Sequence, residues 1–104
     1  MNAADIDQQA MQRVATDAVQ MLKELANENR LMIMCALSES ELSVGELNER
    51  IDLSQSALSQ HLARLRGQGM VKTRRKGQTI YYSLPDSEAL DIIRLLHDLY
   101  CPTL

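Results

Sequence analysis

The chain contains no phenylalanine and no tryptophan, and its only aromatic residues are three tyrosines. Its core must therefore come from Leu, Ile, Val, Ala and six methionines. No apolar run approaches the roughly 18 residues of a membrane helix, so no spanning segment and no membrane partner are expected. The first ten residues, MNAADIDQQA, lack the basic and apolar regions of a signal peptide, and the protein is read as cytoplasmic. Repeats, low-complexity tracts and linkers are missing as well. A single domain spanning 1–104 is expected, near the size at which a second copy helps stability. Cysteine is scarce: Cys35 and Cys101 lie 66 positions apart. There is no C-x-x-C pair, no general base nearby in sequence and no cofactor loop. That argues against a thiol redox enzyme, and no catalytic residue is assigned.

Charge is uneven. Leu53 to Ile80 holds Arg64, Arg66, Lys72, Arg74, Arg75 and Lys76 and no acid, whereas all 14 acids and five basic residues fall elsewhere. The segment is +6 inside a chain whose net charge is −3. An acidic body with one basic surface steers a polyanion to that surface. A protein-interaction module without DNA contact is disfavoured on the same ground.

Within the basic segment, LSQSALSQHLARL (Leu53 to Leu65) has the pattern of a reading helix. Ser54 can cap its start. Leu58, Leu62 and Leu65 recur at i, i+4 and i+7 and must face inward. The other face carries Gln55, Ser56, Ser59, Gln60, His61 and Arg64. Amides and hydroxyls suit base edges, and an arginine suits a guanine or a phosphate. Just upstream, Ser43-Val44-Gly45-Glu46 has the capping-box spacing and opens a short helix ending near Arg50. A short helix, a tight turn and a helix with a polar face form a helix-turn-helix over about 43–67.

Around it, Val14, Ala18, Met21 and Leu25 form one stripe on a first helix of about 6–26. Asn27 can cap a second helix, whose LMIMCAL centre is apolar on every side and expected to be buried, Met32 and Met34 included. Ser38 to Leu42 reads as a polar connection. Gly67 and Gly69 stop the reading helix. Met70 to Arg75 and Thr79 to Leu84 read as strands joined at Lys76-Gly77, a wing over about 70–84. Arg74, Arg75, Lys76 and Gln78 at its tip suit phosphate or the minor groove. Pro85-Asp86 caps a last helix of about 87–100, which Pro102 ends. Its two stripes, one with Ile92, Leu96 and Leu99 and one with Leu90, Ile93 and Tyr100, suggest contact with a second subunit. The expected fold is mainly α with a small β-hairpin wing, a winged helix-turn-helix in the order α-α-α-α-β-β-α.

NENRLMIMCAL followed by LSQSALSQHLARLRGQGMV resembles the ArsR family of winged-helix repressors from about Ala18 to Cys101. The resemblance implies a homodimer paired through the first and last helices, with Val14, Met21, Ile92, Leu96 and Leu99 at the interface. It also implies a near-palindromic double-stranded DNA operator and an inducer that changes the grip on it. The family's metal motif ELCxCDL reads here Glu41-Leu42-Ser43-Val44-Gly45-Glu46-Leu47, without thiolates. The last helix has Asp91, His97 and Asp98 but not the Asp-x-His start of the second family metal site. No metal ligand and no cofactor are assigned, although a metal sensor with non-standard ligands stays open. The terminal Leu99-Tyr100-Cys101 and NExRLxIxCxL resemble the subgroup of BigR, SqrR and HlyU, and most closely its HlyU-like members. These resemble one another as dithiol sensors of persulfides and oxidants, and the HlyU type acts on virulence genes.

The resemblance makes Cys35 and Cys101 a candidate switch. Two unrelated packed thiols are the plainer alternative, since cysteine packs as a small hydrophobe. A permanent disulfide is disfavoured in a reducing compartment. A direct bridge needs Cα atoms within about 7 Å, and each added sulfur extends the reach by roughly 2 Å. His61 is either a DNA contact or a solvated residue, and His97 is expected at an interface.

Overall fold

The computed structural model describes residues 7–100. Three helices start where the caps were expected. Asn27 Oδ1 accepts the Arg30 amide at 3.0 Å and opens α2 (Glu28–Glu39). Ser43 and Glu46 form a reciprocal capping box at α3 (Val44–Arg50). Ser54 Oγ accepts the Ala57 amide at 3.1 Å and opens α4 (Gln55–Gly67). Asp7 caps α1 (Gln8–Leu25), two residues inside the predicted start. In α5 (Glu88–Tyr100) the first helical bond runs from the Asp91 amide to the Ser87 carbonyl, so the cap lies one residue beyond Asp86.

The wing consists of β2 (Lys72–Lys76) and β3 (Thr79–Ser83), antiparallel with Arg74 opposite Tyr81. Gly77 and Gln78 form the two-residue loop, and Gly77 takes φ +63°. Positive φ at the first loop residue alone is the pattern of a II′ turn, whose twist matches that of the strands. A third strand was not foreseen. The supposed polar connection, Ser38 to Leu42, ends in β1 (Leu42–Ser43), which pairs with β3 and makes the sheet order β1-β3-β2. Two residues are too few for a period to show, and Ser43 leaves the strand at once to cap α3.

Gly67 remains helical, and Gly69 is the true stop of α4, with φ +72°. The Met70 amide reaches back to the Leu65 carbonyl at 2.9 Å and the Gly69 amide to Arg66 at 3.0 Å. This is a Schellman closure, and both Leu65 and Met70 are buried beside it. It sets the angle at which the chain leaves the helix for the wing.

Leu58, Leu62 and Leu65 are fully buried against Ile33, Met34, Leu37, Leu47 and Ile93. The expectation for α2 needs correction: Met34 is core, but Met32 is 43% exposed and Leu31, Cys35 and Ala36 are half-buried. A helix lying on one side of a small core has a solvent side even when its sequence is apolar throughout. On α1 only Glu24 and Leu25 are buried, and Val14 is 68% exposed. The radius of gyration is 16.1 Å, against about 13 Å for a compact chain of this length. The 18 residues of α1 have little of this chain to pack on.

Candidate nucleic-acid interface

Between α3 and α4 the chain turns within a few residues. The Ile51 amide closes on the Leu47 carbonyl at 3.0 Å, and Leu53 on Ile51 at 2.9 Å. Asn48 Nδ2 donates to the Leu53 carbonyl at 2.7 Å, a strut that sequence reasoning missed. With Ile51 buried beneath, the turn fixes the start of α4. Gln55, Ser56, Ser59 and Gln60 then stand exposed on one helix, while His61 is half-buried. Ser54 Oγ is committed to its cap and lies 3.3 Å from Ser56 Oγ. Amide and hydroxyl groups thus project from the first turns of α4, the geometry that base-edge readout requires.

Arg64 departs from the expectation of a side chain free to reach DNA. Its Nε and Nη2 fork onto Glu24 of α1 at 2.8, 3.2 and 3.1 Å. The fork holds the Glu24 carboxyl below its ordinary value of 4.5, against desolvation acting the other way. Arg74 is held similarly. It chelates Glu41 at 2.6 to 3.1 Å and lies 5.1 Å over the Tyr81 ring, joining the wing to the residue before β1. Arg75, Lys76 and Gln78 remain exposed at the wing tip, and Lys72 at the other end of β2 and Arg66 in the last turn of α4 are exposed as well. Among the described residues, four of the six cations of the basic segment form no ion pair within 4 Å, although the charge of Lys72 also helps to lower the Glu41 carboxyl.

The described residues contain no group of three or more His, Cys, Asp or Glu placed to hold a metal. Ser43 Oγ is occupied as a cap where the family motif has a thiolate, and Gly45 offers no donor. No described helix is long and apolar enough to cross a membrane. Cys35 is half-buried on α2, and its carbonyl accepts the Ser38 hydroxyl at 2.7 Å. One turn further, Glu39 Oε1 meets His97 Nε2 of α5 at 3.1 Å. Cys101 and Pro102 lie outside the described residues. Of the residues expected to pair subunits, Val14 and Leu99 are exposed, and Met21, Ile92 and Leu96 are half-buried.

A family model described as bacterial regulatory protein, arsR family, matches residues 27–73, from the α2 cap into β2. The transcriptional activator HlyU of Vibrio cholerae is 52% identical over 101 residues, covering 97% of this chain and 94% of HlyU. This chain belongs to the ArsR family. Reduced HlyU from Vibrio cholerae matches it with a TM-score of 0.85 and 55% identity, over 89% of this chain and 98% of that one. The transcriptional repressor BigR from Xylella fastidiosa matches with 0.84 and 38%, over 92% and 95%. The protein is a transcriptional regulator of the ArsR type, with the winged-helix fold of these relatives. Within that fold α3 and α4 form the helix-turn-helix, and β2 and β3 form the wing.

Proposed function

We propose that this ArsR-family regulator is a homodimer that reads a near-palindromic operator through α4 and the wing, and that a Cys35–Cys101 thiol switch sets its operator affinity. Gln55, Ser56, Ser59, Gln60 and His61 read base edges, with Ser54 ordering the first turn. Arg75, Lys76 and Gln78 touch the backbone. The exposed Val14 of α1, and Leu95 and Leu99 of α5, support pairing through these helices, since a lone chain leaves them in water. A symmetric dimer would set its two α4 helices about 34 Å apart, one turn of DNA.

One observation carries the switch. Cys35 lies one helical turn before Glu39, on the α2 face that meets α5, and Cys101 follows His97 by four residues. A relative of this sequence has a structure described as reduced, which adds support for a redox-responsive state. In the proposed chemistry one cysteine thiolate takes the outer sulfur of a glutathione persulfide and releases glutathione thiolate. The second thiolate then attacks the protein-bound sulfur of that persulfide. A disulfide forms, hydrosulfide leaves, and the two electrons lost by the cysteines reduce the persulfide sulfur. If both cysteines are persulfidated first, their condensation leaves a trisulfide and releases hydrogen sulfide. The bridge ties α2 to α5 and shifts the spacing of the two reading helices.

The test is operator affinity of the reduced protein before and after glutathione persulfide, with intact mass recorded alongside. Loss of affinity with one added sulfur and two lost hydrogens, absent in Cys35→Ser and Cys101→Ser, supports a trisulfide switch. Loss with only the two hydrogens missing supports a disulfide. Either single variant still releasing the operator refutes the bridge. Names of relatives include both an activator and a repressor, so the direction of regulation is a separate measurement.

A further inference from the structure

Glu24 is a carboxylate on the inward face of a helix whose remaining inward residues are apolar, and only 1% of it is exposed. Two other elements, α4 and α2, converge on it. Arg64 of α4 gives it a two-nitrogen fork. Arg30, in the first turn of α2 and also buried, lies 3.5 Å from it. Arg30 also donates to the Glu24 carbonyl at 2.7 Å and the Lys23 carbonyl at 3.3 Å, covering the open carbonyl end of α1. No buried side-chain polar atom among the described residues lacks a partner, so the junction is complete.

Apolar packing could hold α4 against α1 without the cost of burying a charge. What packing does not supply is direction, because a guanidinium–carboxylate fork is planar and fixes rotation as well as distance. Arg64 lies one and two turns beyond Gln60 and Ser56, so the fork sets which way the reading face points. We infer that Glu24 is a positioning residue for DNA recognition: through Arg64 it fixes the orientation of the reading helix relative to α1. Arg64 then contributes to operator choice as a tether, and the base contacts fall to the residues before it. The inference rests on α4 as the reading helix and is independent of the thiol switch.

The test uses the full-length protein, a duplex that the wild type selects from a random pool, and a scrambled duplex of equal composition. Glu24→Gln keeps the shape and removes the charge. The ratio of selected to scrambled affinity should fall about tenfold, within the usual span of a coupling between sites. Arg64→Ala should lower the ratio similarly, and the double variant should lose no more than the worse single one. Arg64→Lys, a change at a side chain 56% exposed, retains the cation without the fork and should not restore the ratio. This second variant keeps the test decisive if Glu24→Gln fails to fold. A base-reading Arg64 gives a different pattern: freeing the guanidinium by Glu24→Gln preserves or raises the ratio, and the losses add. That pattern, or full activity in Arg64→Lys, overturns the inference. A wild type that selects no duplex overturns the reading-helix assignment and this inference with it.

Discussion

The two arginine forks change how the basic surface should respond to salt. Of the six cations between Leu53 and Ile80, Arg64 and Arg74 are each held by a carboxylate of the same chain. Arg66, Lys72, Arg75 and Lys76 are the ones ready to displace counterions from DNA. Each phosphate contact contributes about 0.9 to the slope of log affinity against log salt, so one residue counted in both subunits contributes about 1.8. Four such residues set a ceiling near 7 for the wild-type slope. Arg75→Ala should flatten it by about 1.8, so that raising salt from 50 to 200 mM costs the variant roughly tenfold less affinity than the wild type. Arg74→Ala should flatten it less, because that guanidinium is already neutralised by Glu41. Glu41→Gln releases Arg74 and should steepen it. The assay is fluorescence anisotropy of a labelled duplex across a salt series, with the protein above its dimerisation concentration. Equal flattening by Arg74→Ala and Arg75→Ala, with no change in Glu41→Gln, would show that the Glu41 fork opens on DNA, and the count of four would be wrong.

Two further expectations concern stability. Leu62 is fully buried at the centre of the α4 stripe, so Leu62→Ala should cost about 2–5 kcal/mol, read as a lower midpoint in urea unfolding with an unchanged slope. An unchanged midpoint would mean that α4 does not depend on that face. The carboxyls of Glu24 and Glu46 are held below 4.5, chiefly by Arg64 and by the Ser43 amide. A lowered folded value means that the unfolded chain takes up the proton first. The stabilisation is therefore complete above about 4.5 and is lost as pH falls through the folded values. In urea titrations at stepped pH, the gap between wild type and Glu24→Gln should close on acidification. A gap that stays constant below pH 4.5 contradicts the linkage.

What the sequence disclosed and what it hid divide along the range of the interaction. Asn27, Ser43 with Glu46, and Ser54 act on amides three residues away, and the Leu58–Leu62–Leu65 stripe follows from helical period alone. The charge block is a linear feature too. The forks are not: Glu24 and Arg64 lie 40 positions apart, and Glu41 and Arg74 lie 33 apart. Two arginines read from the sequence as DNA contacts therefore also carry intrachain forks. One signal could have disclosed the first pair. Glu24 sits three residues after Met21 and one before Leu25, on the inward face of α1, and a lone acid there demands a buried cation. No comparable signal marks Asn48 as the strut of the turn, because its partner is a backbone carbonyl.

The position of α2 gives the two proposals a common mechanical element. Its 12 residues span about 18 Å. Arg30, in the first turn, belongs to the Glu24–Arg64 junction that orients α4. Cys35 and Glu39, toward the other end, lie on the face that meets α5. Ile33, Met34 and Leu37 hold the rod between them, buried in the same core as Leu58, Leu62 and Leu65, and a close-packed interior transmits strain. A bridge that drew Cys35 toward α5 would therefore move α2 as a body. Its far end could respond only by carrying Arg30 and the Glu24 carboxylate with it, or by straining the fork on Arg64. Either response turns the reading helix. A side-chain contact free to bend would absorb a displacement of an ångström, whereas a planar fork on a buried carboxylate would pass it on. On the two proposals together, the charged junction would serve to pass that displacement to α4, which apolar packing there would not do.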